Sequence, residues 1–61
     1  MDTYNLNYNP KESFKVGDLV EDKETSEAGI VIKTRADCFA LVQYIDSLDA
    51  RWYSYFQIRK A

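Results

Sequence analysis

The sequence predicts a mainly β domain. It reads as a small, partly open antiparallel barrel of about five short strands, with an extended N-terminal arm and one short helical turn before it. Three observations carry this. Short apolar stretches recur at close spacing between polar, turn-forming stretches, the pattern of strands joined by hairpins. The chain has 61 residues, room for one domain, and a domain that small buries only ~60% of the surface its unfolded form exposes. Nine aromatic residues (Tyr4, Tyr8, Phe14, Phe39, Tyr44, Trp52, Tyr53, Tyr55 and Phe56) supply the large side chains that a thin core needs.

The arm comes first. In residues 1–9, Tyr4, Leu6 and Tyr8 alternate with Asn5, Asn7 and Asn9, a period of two that suits an extended segment with one apolar face. Asparagine is a poor strand former, so this segment reads as an arm, either a disordered tail or, as favoured by its apolar face, a segment that docks through Tyr4, Leu6 and Tyr8. It either lies on its own barrel, adds to a partner or swaps into a homodimer. Asn9 as N-cap, Pro10 at the first helical position and Glu12 at the third predict a helical turn over Pro10–Ser13. The domain division is therefore 1–13 for the arm and turn and 14–61 for the barrel.

Phe14-Lys15-Val16-Gly17-Asp18 approaches a tight Gly-Asp bend, and a first strand follows at about Asp18–Asp22. Residues 23–28 are polar and form a loop. Ala28–Arg35 is the second strand, with β-branched Ile30, Val31 and Ile32 in a row. Arg35-Ala36-Asp37 turns the chain. Cys38–Asp46 is the strongest strand signal, and residues 47–50 connect it to Arg51-Trp52-Tyr53. Ser54-Tyr55-Phe56 suits a single helical turn, and Gln57–Lys60 a last strand. Alternation places Val20, Ile30, Ile32, Ala40, Val42, Tyr44, Trp52 and Ile58 inward. On the second strand Val31 is the alternative to the isoleucine pair, because a one-residue slip inverts the face.

The succession Val16-Gly17-Asp18-Leu19-Val20, Gly29-Ile30-Val31-Ile32, Val42-Gln43-Tyr44-Ile45-Asp46, Trp52-Tyr53 and Ile58 resembles small SH3-like barrels. It is most similar to the Tudor-like and KOW-like members and to short proteins of this fold encoded by tailed bacteriophages. The resemblance covers about residues 14–60. It implies a binding fold whose members contact RNA, methylated peptides, proline-rich peptides or virion components, and fold does not settle which. The chain lacks the "ALYDY"-like segment and second proline of Src-type peptide binders. Where KOW members are basic and glycine-rich, it carries Glu24 and Glu27.

Composition narrows the chemistry. With no histidine, Ser-His-Asp and Cys-His arrangements are excluded. One cysteine and no histidine exclude ordinary zinc sites, and no glycine-rich phosphate loop is present. The expectation is a protein that is not an enzyme and needs no cofactor or metal. The lone Cys38 reads as a small strand residue and points to a reducing, cytoplasmic compartment. No apolar run approaches the ~20 residues of a membrane span, and the start lacks a secretion signal pattern.

Charge is uneven: residues 1–30 carry seven acids against three lysines, residues 31–61 five basic residues against three acids, for a net −2. A phosphate-backbone binder usually has a basic balance. The function expected is a protein-protein interaction module, in the phage resemblance an accessory protein acting on a host or phage protein. Arg51, Tyr53 and Tyr55 are the interface candidates, since Tyr and Arg are typical anchors, with Glu21, Glu24 and Glu27 steering a basic partner. The alternative is a nucleic-acid-binding barrel using Lys33, Arg35 and Arg51, with exposed tyrosines stacking bases. A third reading is an aromatic-cage reader, with Tyr44, Trp52, Tyr53 and Tyr55 as walls and Asp46 as carboxylate.

Overall fold

The computed structural model describes residues 12–61. The expected arm, with Tyr4, Leu6 and Tyr8, lies outside the described residues, as do Pro10 and Lys11 of the Pro10–Ser13 turn; Glu12 and Ser13 carry no regular structure. Five strands follow: β1 (Leu19–Asp22), β2 (Ala28–Arg35), β3 (Phe39–Tyr44), β4 (Ala50–Ser54) and, after a 3-10 turn at Tyr55–Gln57, β5 (Ile58–Lys60). They form one antiparallel sheet in the order β4-β3-β2-β1-β5.

That order fixes the shape. β4 and β5 are the two edges, yet only the three-residue turn separates them in sequence. A flat sheet would set the edges about 19 Å apart at the usual strand spacing; three residues of 3-10 helix advance about 6 Å. The sheet therefore bends round on itself and stays open at the β4–β5 seam. Sequence chemistry holds the turn in place. Ser54 caps it: its Oγ accepts from the Phe56 N–H at 3.2 Å, and Gln57 Oε1 accepts from the Ser54 N–H at 2.8 Å, a capping box in which both orphan donors find partners. The Tyr55 N–H donates to the Cys38 carbonyl and the Lys23 N–H to the Gln57 carbonyl, both at 3.0 Å.

The core comprises Phe14, Val20, Val31, Ala40, Val42, Tyr53, Tyr55 and Ile58, with Cys38 and Tyr44 packed against it. Three expectations are corrected here. On β2 the inward residue is Val31, the alternative reading, while Ile30 and Ile32 are exposed. Register explains this: inward Val20 pairs with Gly29, and Val31 pairs with inward Val42, so Gly29 and Val31 face in. A bulge between Val31 and Lys33 takes up Ile32 without a partner. On β4 Tyr53 is inward opposite Ala40, and Trp52, opposite Leu41, faces out. Cys38 belongs to the turn, not to β3: it has φ 68° and closes a three-residue hairpin loop in which its N–H donates to the Arg35 carbonyl.

Candidate functional site

The inner end of the seam is a polar cleft of about 360 Å³ lined by Asp22, Lys23, Glu24, Arg51, Tyr53 and Gln57. Asp22 ends β1 opposite Ile58, so its side chain points inward at the seam. Its Oδ1 accepts from the Glu24 N–H at 2.7 Å and the Thr25 N–H at 3.1 Å. The Glu24 N–H is the main reason its carboxyl is held below the ordinary carboxylate value; the Thr25 N–H, the Tyr53 hydroxyl and Arg51 act in the same direction, against burial. Tyr53 and Tyr44 share a short hydroxyl–hydroxyl hydrogen bond, with their rings edge to face. Burial, then the Tyr44 hydroxyl and the Asp22 carboxylate, push the Tyr53 phenol well above its usual value. The Arg51 guanidinium lies 5.3 Å from the centre of the Tyr53 ring, and Tyr44 raises its already high pKa. The charges in the cleft thus answer one another, and each shift moves its group further from neutral pH.

The opposite face of the sheet is different. Leu19 on β1 pairs with Ile30 on β2, and Lys33 on β2 with Leu41 on β3, which pairs with Trp52 on β4. Leu19, Ile30, Ile32 and Trp52 are each between 41% and 46% exposed. The Arg35 guanidinium, held by Asp37 at 2.6 Å, lies 5.2 Å from the centre of the Phe39 ring and 5.5 Å from that of Trp52. A cation thus lies over two aromatic rings beside an exposed apolar band.

The expected site residues separate on this frame. Arg51, Tyr53 and Glu24 do come together, at the cleft. Tyr53, however, is 2% exposed, and Tyr55 is buried against Phe14, with ring centres 4.9 Å apart and its hydroxyl donating to the Phe14 carbonyl. Neither tyrosine offers the exposed surface expected of an interface anchor. Glu21 is paired with Arg59 across β1 and β5, and Glu27 sits in the β1–β2 loop. Lys33 and Arg35 occupy the outer face, whereas Arg51 has the inward parity of β4, so the three do not form one basic patch. The four cage walls do not meet either: Trp52 faces out, Tyr55 packs on Phe14, and Asp46 is in an exposed loop.

The sequence reading missed Trp52, Phe39 and Arg35 as one outward stack. The signal was available in the Trp52-Tyr53 pair, of which one member must face outward on any strand. Among the described residues no three His, Cys, Asp or Glu side chains converge in a way that could hold a metal ion, and no helix is long and apolar enough to cross a membrane. No protein-family model matches the chain, and no curated protein or solved structure matches it.

Proposed function

We propose that this domain is a non-enzymatic protein-interaction module that receives its partner on the outer face of the sheet, with Trp52 as the anchor. One observation carries the proposal: the Arg35–Phe39–Trp52 stack sits beside exposed Leu19, Ile30 and Ile32 on a single face. Tryptophan and arginine are enriched among the few residues that carry binding energy at protein interfaces. The partner is a protein surface with apolar side chains and a carboxylate to meet Lys33 and Arg35. The strand order and the 3-10 turn before β5 support the SH3-like reading. With it comes the role of a cytoplasmic accessory protein acting on a host or phage protein. A second reading has its own support, since Lys33 and Arg35 beside Trp52 and Phe39 also suit a stacked base.

The test is capture by immobilised wild type and Trp52→Ala, with and without nuclease. Trp52 is outside the core, so the variant is expected to keep its fold by circular dichroism. A protein held by the wild type after nuclease, and weakened by about 2 kcal/mol or more in the variant, roughly thirtyfold in Kd, supports the reading. Binding that disappears with nuclease moves the function to nucleic acid. Binding that Trp52→Ala leaves intact removes the outer face from consideration.

A further inference from the structure

We propose that the partner received on the outer face is a second copy of this chain, which docks the tip of its β3–β4 loop, residues 45–49, against Trp52 and Lys33. This rests on the reading of that face as the docking surface and names its occupant.

The tip carries the chemistry that complements the face. Ile45 is 58% exposed and Leu48 90% exposed, and Asp46 and Asp49 stand beside them, also exposed. A single exposed leucine is ordinary on a protein surface. Here two apolar and two acidic side chains are gathered on one tip, and the face offers exposed Leu19, Ile30, Ile32 and Trp52 beside Lys33 and Arg35. Among the described residues the ion pairs are Arg35 with Asp37 and Arg59 with Glu21. The Lys33 ammonium and the carboxylates of Asp46 and Asp49 belong to neither pair, so opposite charges on two copies have each other to meet. The net charge of −2 opposes such an encounter only weakly.

The tip is also held in shape and lies beyond the end of its own sheet. The Tyr44 N–H donates to the Asp49 carbonyl at 3.0 Å, the Ile45 N–H to the Ala28 carbonyl at 3.1 Å, and the Asp49 N–H to Ser47 Oγ at 3.2 Å. Docking therefore orders little backbone, which lowers its entropic cost. Leu41 shares a row with Lys33 and Trp52. Three residues of β3 carry the chain about 10 Å from that row to Tyr44, where the loop starts. Leu48, at 90% exposure, packs against almost nothing in its own chain. The tip thus meets a Trp52 row only on another copy. Lys33, Leu41 and Trp52 span two strand spacings, about 10 Å, which admits the end of a hairpin whose own strands stand about 5 Å apart. Tip and face are different patches, so the contact is heterologous and each side can be disabled separately.

Trp52 is the only tryptophan in the chain, so a full-length Trp52→Ala chain is dark under selective Trp excitation yet keeps its tip. A Leu48→Ser chain keeps Trp52 and the face but loses the apolar point of the tip. Both side chains are outside the core, and circular dichroism checks both folds. The dark Trp52→Ala chain is titrated into a trace of the Leu48→Ser chain up to about 1 mM, the weak end of specific association. The expected result is a saturable blue shift of Trp52 and slower acrylamide quenching. A dark chain that also carries Leu48→Ser is expected to bind about tenfold more weakly or worse, the loss of one buried leucine side chain. A dark chain carrying Asp46→Lys and Asp49→Lys is expected to give no shift. Unchanged emission across the titration overturns the proposal. An equal shift with the Leu48→Ser dark chain also overturns it, because the contact then lies elsewhere than the tip. The outcomes separate from those of the function itself. Unchanged emission, with capture of a different protein still lost in Trp52→Ala, removes the self-contact and keeps the docking face. A shift that depends on Leu48, with capture of other proteins retained in Trp52→Ala, keeps the self-contact and removes the face as a site for a different protein.

Discussion

Asp22 organises the β1–β2 loop with a single side chain. Its Oδ1 accepts two backbone N–H groups, and its own carbonyl accepts the Ser26 N–H at 2.8 Å. That local closure is what lets Ser26 sit at φ 67°, a conformation that non-glycine residues rarely adopt. Because the folded state holds this carboxyl below its ordinary value of 3.8, the stability it contributes is complete at neutral pH. It declines as the pH drops below that value and is gone once the folded-state carboxyl is protonated. Asparagine keeps the acceptor oxygen but has nothing to titrate. Asp22→Asn is therefore expected to flatten part of the acid limb of a stability-versus-pH curve from urea unfolding while leaving the fold intact. Asp22→Ala removes both bonds and is expected to lose about 1–3 kcal/mol at pH 7. An acid limb in Asp22→Asn that superimposes on the wild type would show that other carboxylates set it.

At the scale of elements, β2 is where packing overrode pattern. Ile30-Val31-Ile32 satisfies a period of two on either face, and size alone favours burying the two isoleucines. The tie is broken by Gly29, which places β2 unusually close to β3. A Cβ at that position would meet Val42 Cγ1 at 2.5 Å and the Gln43 carbonyl oxygen at 2.6 Å. Gly29→Ala must therefore push backbone apart, and it is expected to destabilise by at least the ~1–3 kcal/mol typical of overpacking, read as a lower midpoint in urea. A neutral result would mean that the β2–β3 spacing is looser than these distances. The inversion on β4 has a similar origin. The inward slot opposite Ala40 ends in the polar seam, where a phenol reaches the Tyr44 hydroxyl, a partner that the Trp52 indole would lack from its outward position. Strand existence was legible because each apolar run is bounded by turn residues. Strand facing was not, because it depends on a bulge at Ile32 and on a turn closed by Cys38 where glycine would normally signal it.

At the scale of the whole molecule, the curled sheet sorts charge as well as hydrophobicity. The seam holds Asp22, Lys23, Glu24 and Arg51, while the charged residues near the Trp52 stack are Lys33 and Arg35, the latter held by Asp37. The halves of the sequence already differed in sign, but only the fold shows that Arg51 parts from Lys33 and Arg35. This separation leaves only two cations on the outer face, which limits the salt dependence of either reading of it. Two cations neutralising two phosphates give a log–log slope of about −1.8, and so about a tenfold loss of affinity between 50 and 200 mM salt. A binder making 6–10 phosphate contacts loses about 10³–10⁵ over the same range. For a protein partner anchored by Trp52 and its apolar neighbours the loss is expected to stay within about tenfold, measured as Kd across a salt series on the captured partner. A drop of 10³ or more would require cations beyond Lys33 and Arg35, and would place the partner's main contact on a charged surface other than this face.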